Sequence, residues 1–207
     1  EEANTKLFFS VLVPPLLRKM GELNLRDKDL VPLIECLRSV THSLGLSAFR
    51  YGEQLFDKCI NMVDVQYEAK RPKNGAAQDV QVEFETDFVI VALEALCALF
   101  RPLVDVSSSR EMQSYQFQEV VISVKHLVAK YRIAEMLTWV CADEDPHIRQ
   151  AAFELLGDLS CVCPLNLVQY AETFFQMATK TLSGAAGGRR AENDVAVFNN
   201  VCWAVRV

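Results

Sequence analysis

Apolar residues recur at three- and four-residue spacing in one segment of this chain after another. Between Leu30 and Leu44 they form one continuous face, and Gly45 follows as a typical helix stop. The same spacing runs through 55–63, 88–99 and 148–159. This is the period of amphipathic α-helices, and no segment requires a strand. We therefore predict an all-α chain.

The periodic segments and the breaks between them predict a series of helices joined mostly by short connections. These helices cover about 5–21, 28–44, 48–69, 86–102, 111–129, 132–142, 146–162, 165–182 and 194 to the end. Neighbouring helices should pack as antiparallel pairs, because short connections allow little else. Two longer breaks, near 70–84 and 183–193, are rich in polar residues and Gly and are predicted to be mobile surface loops.

The stretch from Asp143 to Leu159 carries the clearest repeat signal. Acidic residues precede Pro146, which suits the first position of a helix, and Ala151 and Ala152 allow a neighbouring helix to approach closely. This pattern resembles the second helix of a HEAT repeat. At about 40 residues per repeat, 1–207 would be a single segment of about five repeats in a HEAT-repeat α-α superhelix. Such a solenoid has a long concave wall.

Composition excludes several classes of protein. The chain is 51% hydrophobic with 8 Gly, which indicates a folded domain, and Glu94 interrupts the longest apolar run before it could span a bilayer. A net charge of −6 favours a basic protein partner over nucleic acid. No secretory signal precedes the first helix, and the last helical pattern has no stop signal, so we expect an internal fragment of a longer array.

The 7 cysteines are scattered through helical patterns, as expected for buried, reduced thiols of an intracellular protein. Cys161 and Cys163 have no second Cys or His pair nearby, so we predict no metal site.

Residues with catalytic potential form no recognisable constellation. His42, His126 and His147 are far apart, and Gly184–Gly188 lacks the spacing of a phosphate-binding loop. We predict no enzyme activity and no cofactor.

Beside the core faces, polar and aromatic residues form stripes at helical spacing. The first contains Ile90, Glu94, Cys97 and Arg101, the second Val195, Asn199 and Trp203, and the third begins with Gln150 and Glu154. If these are the inner helices of successive repeats, all three stripes face the concave wall.

Trp203 has two possible roles. A tryptophan most often packs in a core, here the core between repeats. However, Val197, Val201 and Ala204 already form a core face on which Trp203 does not lie, so it could serve as a platform for an extended peptide. The other tryptophan, Trp139, lies among apolar residues and is interpreted as core.

Five segments carry a family resemblance in the same order along the chain. They are Val13-Pro14-Pro15-Leu16-Leu17, residues 27–37 (DKDLVPLIECL), residues 87–94 (DFVIVALE), the helix Pro146–Leu159, and residues 199–204 (NNVCWA). Together they span essentially the whole chain and resemble the transportin family of importin-beta type nuclear import receptors.

The resemblance implies a receptor that shuttles between cytoplasm and nucleus through the nuclear pore. Its C-terminal arch would bind basic localisation signals ending in a Pro-Tyr pair. Ran GTPase and nucleoporins would be partners of the full-length receptor, with cargo release depending on an N-terminal arch that this chain does not include. The family's signal-contacting positions fall on Ile90, Glu94, Cys97, Arg101, Gln150, Val195, Asn199 and Trp203.

Three of these positions depart from the family pattern. Glu94 keeps an acidic charge on a longer arm, Cys97 replaces a small hydroxyl residue, and Arg101 replaces an acid, so we expect Arg101 to repel a basic signal. The alternative function is a HEAT-repeat scaffold that assembles an enzyme complex such as a phosphatase. That scaffold would use the ridges between repeats and would leave Trp203 buried.

Overall fold

A computed structural model describes residues 2–70, 83–107, 115–182 and 195–205, which form helices joined by turns, with no strand among them. The helices are α1 Glu2–Glu22, α2 Leu30–Leu44, α3 Gly52–Lys70, α4 Thr86–Ser107, α5 Tyr115–Lys130, α6 Ile133–Val140, α7 Pro146–Val162, α8 Ala171–Leu182 and α9 Val195–Val205. The predicted all-α HEAT-repeat architecture is confirmed.

Four helices form a continuous stacked layer, in which α2 packs on α4, α4 on α7, and α7 on α9. Each has a partner that immediately precedes it in the chain, so that α1, α3, α6 and α8 lie against α2, α4, α7 and α9 respectively. Helix pairs stacked side by side bury their apolar faces between successive pairs, as in repeat solenoids.

Small residues bring α4 and α7 close together in the stacked layer. Ala92 and Ala95 on α4 and Ala151 and Ala152 on α7 are all buried. The approach is close enough that Cys97 Sγ lies 3.8 Å from the carbonyl oxygen of Ala151. The large side chains Phe88, Phe100 and Phe153 on the same two helices are each 1% exposed or less and belong to the core.

The start of α7 follows the local rules that the sequence suggested. The Asp145 side chain accepts hydrogen bonds from the backbone N–H groups of His147 at 2.8 Å and Ile148 at 3.4 Å, and Pro146 occupies the first helical position. These contacts satisfy donors that a helix leaves without partners at its N-terminus, and so define where α7 begins.

The predicted end of α4 was too early. The helix continues through Pro102 to Ser107, although a proline removes one backbone donor from the helical ladder. Leu103 and Val104, which follow the proline, are 0% and 7% exposed, so core packing outweighs the local disruption.

Two predicted helix starts were also wrong. Residues Gly45–Arg50 form a 3-10 turn that begins at Gly45, whose φ of 55° is positive. The helix predicted to start at residue 48 therefore begins only at Gly52. Before α8 there are two further 3-10 turns, Pro164–Asn166 and Val168–Tyr170.

Several other predictions concern the loops, the cysteines and membrane spans. Residues 71–82 and 183–194, the bulk of the two predicted loops, lie outside the described residues.

All seven cysteines are free, but Cys36 and Cys202 are exposed rather than buried, because they lie away from the core faces of α2 and α9. Within the described ranges, no helix combines the length and hydropathy that a membrane span requires.

Candidate functional site

A cleft of about 730 Å³ crosses the surface of the stacked layer between α2, α4 and α7. Its walls carry charged and small side chains: Arg38, Ser39, His42, Glu94, Cys97, Ala98, Arg101, Asp105 and Glu154. The predicted site residues Glu94, Cys97 and Arg101 thus lie together, as their spacing on one helix requires.

Two ion pairs cross the cleft, each joining neighbouring helices of the layer. Arg38 of α2 pairs with Glu94 of α4, and Arg101 of α4 pairs with Glu154 of α7. These four side chains remain between 33% and 40% exposed. The pairs are therefore partly solvated.

Asp158 extends this charge network into the interior. Its side chain is fully buried one turn beyond Glu154 on α7, and its two oxygens face different helices. Oδ1 accepts a hydrogen bond from the Trp203 indole N–H of α9 at 3.3 Å, whereas Oδ2 lies 3.7 Å from the Arg101 guanidinium of α4. Burial raises the pKa of Asp158 to about 7, because the loss of hydration outweighs the attraction of Arg101.

Trp203 lies in the contact between α7 and α9, with its indole against the backbone of Gly157. A Cβ atom at position 157 would stand 1.9 Å from Cδ1 of the indole, so only glycine leaves room for the ring there. Trp203 nevertheless stays half-buried and packs against the edge of the core. It combines a fixed position with an accessible part, whereas the two predicted alternatives were full burial and a free platform.

Arg101 is held by two carboxylates. Burial acts to lower its pKa, but the attraction of Asp158 and Glu154 raises the pKa above its ordinary value. Its charge is thus balanced from within the chain. The repulsion between Arg101 and a basic signal remains a prediction. The two carboxylates that pair with Arg101 should weaken that repulsion.

The other predicted site residues are distributed along the same helices. Ile90 is half-buried one turn before Glu94, and Asn199 is exposed on α9. Gln150 is half-buried, and its backbone carbonyl accepts a 2.9 Å hydrogen bond from the side chain of Asn200, the neighbour of Asn199. Val195 begins α9, and its side chain lies outside what the structure describes.

Cys97, Glu154 and Asp158 bring a thiol and two carboxylates within 4.8 Å of one another. Burial, followed by the two nearby carboxylates, raises the pKa of the Cys97 thiol well above its ordinary value. A protonated thiol is a poor metal ligand and a poor nucleophile. The two carboxylates instead pair with the Arg101 guanidinium.

Sequence reasoning missed Arg38, His42 and Asp158. Asp158 continues the four-residue spacing of Gln150 and Glu154 and interrupts an apolar run, which was a usable signal. Arg38 and His42 had no such signal, because their relation to α4 depends on which helices stack.

Comparison with known proteins identifies relatives of this sequence. The sequence matches no protein-family model. It is 31% identical over 204 residues to Transportin-1 of Oryza sativa subsp. japonica, covering 99% of this chain and 20% of that relative. It is 29% identical over 202 residues to Transportin-1 of Homo sapiens, covering 98% and 20% of the two chains. Importin subunit beta-2 of Saccharomyces cerevisiae is 29% identical over 153 residues, or 72% and 15% of the two chains.

Proposed function

Because this chain belongs to the transportin family and spans about a fifth of the length of the relatives it matches, we propose that it is the cargo-binding part of a nuclear import receptor. Its ligand would be an extended basic signal ending in Pro-Tyr. The signal would lie along the stacked layer, from the cleft at Glu94 towards Trp203. Ran GTPase and nucleoporins would act on the longer receptor, in cytoplasm and nucleus.

The observation that carries this proposal is a row of polar contacts that joins the four stacked helices pair by pair. Arg38 on α2 pairs with Glu94 on α4. Two turns further along α4, Arg101 pairs with Glu154 and Asp158 on α7, and Asp158 accepts a hydrogen bond from Trp203 on α9. A peptide in extended conformation could follow this path and meet acids first and an aromatic ring last. Such an order suits a signal with basic residues followed by an aromatic end.

The energy of the ion pairs makes exchange with a ligand feasible. A partly exposed pair contributes about 0–1 kcal/mol, so a lysine or arginine of the signal displaces Arg38 from Glu94 at small cost. The same holds for Glu154, whose partner Arg101 keeps a second acidic neighbour in Asp158. A signal with several basic residues can therefore replace both internal arginines.

Further contacts would come from residues already in place around the path. The exposed Asn199 side chain can donate to, and accept from, the backbone of an extended peptide. A flexible signal loses conformational entropy on binding, so a few anchors should dominate its affinity. We assign Glu94, Glu154 and Trp203 as those anchors.

The test is a titration of a labelled basic Pro-Tyr peptide against the 207-residue chain, followed by fluorescence anisotropy. Glu94→Gln and Glu154→Gln should each weaken binding about three- to tenfold, because each removes a charge that a basic residue would pair with. Glu53→Gln is the matched control, since Glu53 forms a comparable ion pair with Lys130 away from the cleft. Equal affinities for all three variants and the unaltered chain would rule out the cleft as the binding surface.

A further inference from the structure

We propose that Asp158 is a positioning residue of this surface, whose buried carboxylate fixes the Trp203 indole and ties it to Arg101. The inference rests on the proposed function, because it assigns Asp158 a role in how the cleft and the tryptophan act on one ligand. Asp158 itself is 0% exposed and would not touch that ligand.

The position of the indole depends on two neighbouring residues of α7. Gly157 provides a surface without a side chain, and Asp158 provides an acceptor for the indole N–H at 3.3 Å. The glycine leaves room for the ring, and the hydrogen bond to Asp158 holds the indole N–H in one direction. With both constraints, Trp203 loses little further freedom when a peptide binds, which favours affinity.

The second oxygen of Asp158 serves the cleft. Arg101 bonds Glu154 and lies 3.7 Å from Asp158, so it has two acidic neighbours on α7. When a basic residue of the signal takes Glu154, Arg101 retains the attraction of Asp158 and need not move into the path of the peptide. Asp158 would therefore make the exchange at Glu154 easier.

The charge of Asp158 is sensitive to its surroundings. Arg101, Asp105 and Cys97 face it from α4, Trp203 faces it from α9, and Glu154 precedes it on α7. With a pKa of about 7, the carboxylate gains its negative charge as pH rises from 6 to 8. A basic peptide should bind more tightly at pH 8, by about three- to fivefold, because the cleft then has one more negative charge nearby.

The first experiment needs no peptide. Trp139→Phe leaves Trp203 as the chain's single tryptophan, and 5-fluorotryptophan then reports its environment by ¹⁹F NMR. The Trp203 signal should shift with a midpoint near pH 7 and should stop titrating in Asp158→Asn, which keeps an acceptor for the indole but has no charge. Asp143→Asn, which alters a buried carboxylate that pairs with Lys70 instead of bonding Trp203, should titrate like the parent. An unchanged titration in Asp158→Asn would overturn the inference.

The second experiment measures peptide affinity at pH 6 and pH 8 in a His42→Gln background, since His42 also lines the cleft. Asp158→Leu should weaken binding about tenfold, because the indole loses its acceptor. Asp158→Asn should bind as the parent does at pH 6 and lose the pH dependence. If Trp203→Ala weakens binding but neither Asp158 variant changes it, the positioning role is wrong and the proposed function stands. If Trp203→Ala has no effect, the proposed function itself is wrong.

Discussion

The indole of Trp203 lies so close to Gly157 that a Cβ atom at position 157 would stand 1.9 Å from its Cδ1. No real side chain tolerates such a contact. The indole can therefore keep this position only while residue 157 is glycine. The position of Trp203 at the end of the proposed binding path therefore depends on Gly157 of α7 as well as on α9 itself.

Gly157→Ala should therefore displace the indole. Alanine favours helix by up to about 1 kcal/mol over glycine, but the overpacking should cost about 1–3 kcal/mol, giving net destabilisation. Urea unfolding measures the free energy, and tryptophan fluorescence reports a more exposed ring. Gly21→Ala is the control, since nothing lies within 4 Å of a Cβ there and the change should be neutral or stabilising.

A double substitution isolates the contact itself. In Trp203→Ala the space beside Gly157 is empty, so adding Gly157→Ala should no longer destabilise the chain and should stabilise it slightly. Strict additivity of the two free-energy changes would contradict the contact.

Asp158 should make the stability of the fold depend on pH in a specific direction. Its folded pKa of about 7 is raised above the unfolded value, so the folded state holds a proton that the unfolded state loses. Stability from this group is full below about pH 4 and falls by about 1.4 kcal/mol per pH unit until about pH 7. Urea unfolding of the parent and Asp158→Asn at pH 4, 5.5, 7 and 8 should show a difference that moves in favour of the Asn variant and levels off above pH 7. A constant difference would mean that Asp158 does not titrate in this range.

Arg101 is predicted to limit the affinity for basic peptides. Arg101→Gln should tighten binding about three- to tenfold and make it more sensitive to salt, because Glu154 then lacks an internal partner. Arg132→Gln removes an exposed arginine that pairs with Glu135 outside the cleft and should have no effect. Weaker binding in Arg101→Gln would show that the guanidinium contacts the ligand favourably.

Helix type and order could be predicted from the sequence because amphipathic spacing is a local property. The failure at Pro102 came from tertiary contacts, which keep α4 helical beyond its proline, whereas the two 3-10 turns before α8 contain no buried residue, and the first of them begins at Pro164. Helix propensity and amphipathic spacing describe one helix at a time and do not include packing between helices.

In the candidate site, too, local features could be predicted from the sequence and contacts between helices could not. Glu94, Cys97 and Arg101 could be grouped from spacing on one helix, but the partners that balance their charges could not. Arg38 is 56 residues from Glu94, and Asp158 is 45 residues from Trp203. Finding those pairs requires the order in which helices stack, which the amphipathic pattern of a single helix does not encode.

Comparing the two tryptophans of the chain shows directly whether Trp203 anchors the signal. A labelled basic Pro-Tyr peptide is titrated against the unaltered chain, Trp203→Ala and Trp139→Ala, with helical content checked by circular dichroism. Trp139 is the matched control, because it is also half-buried but packs on Tyr67, at 4.5 Å between ring centroids, away from the cleft. Trp203→Ala should bind at least about tenfold more weakly, while Trp139→Ala should bind like the parent. Equal affinity of Trp203→Ala and the parent, or no binding by any of the three, would show that Trp203 does not anchor the signal.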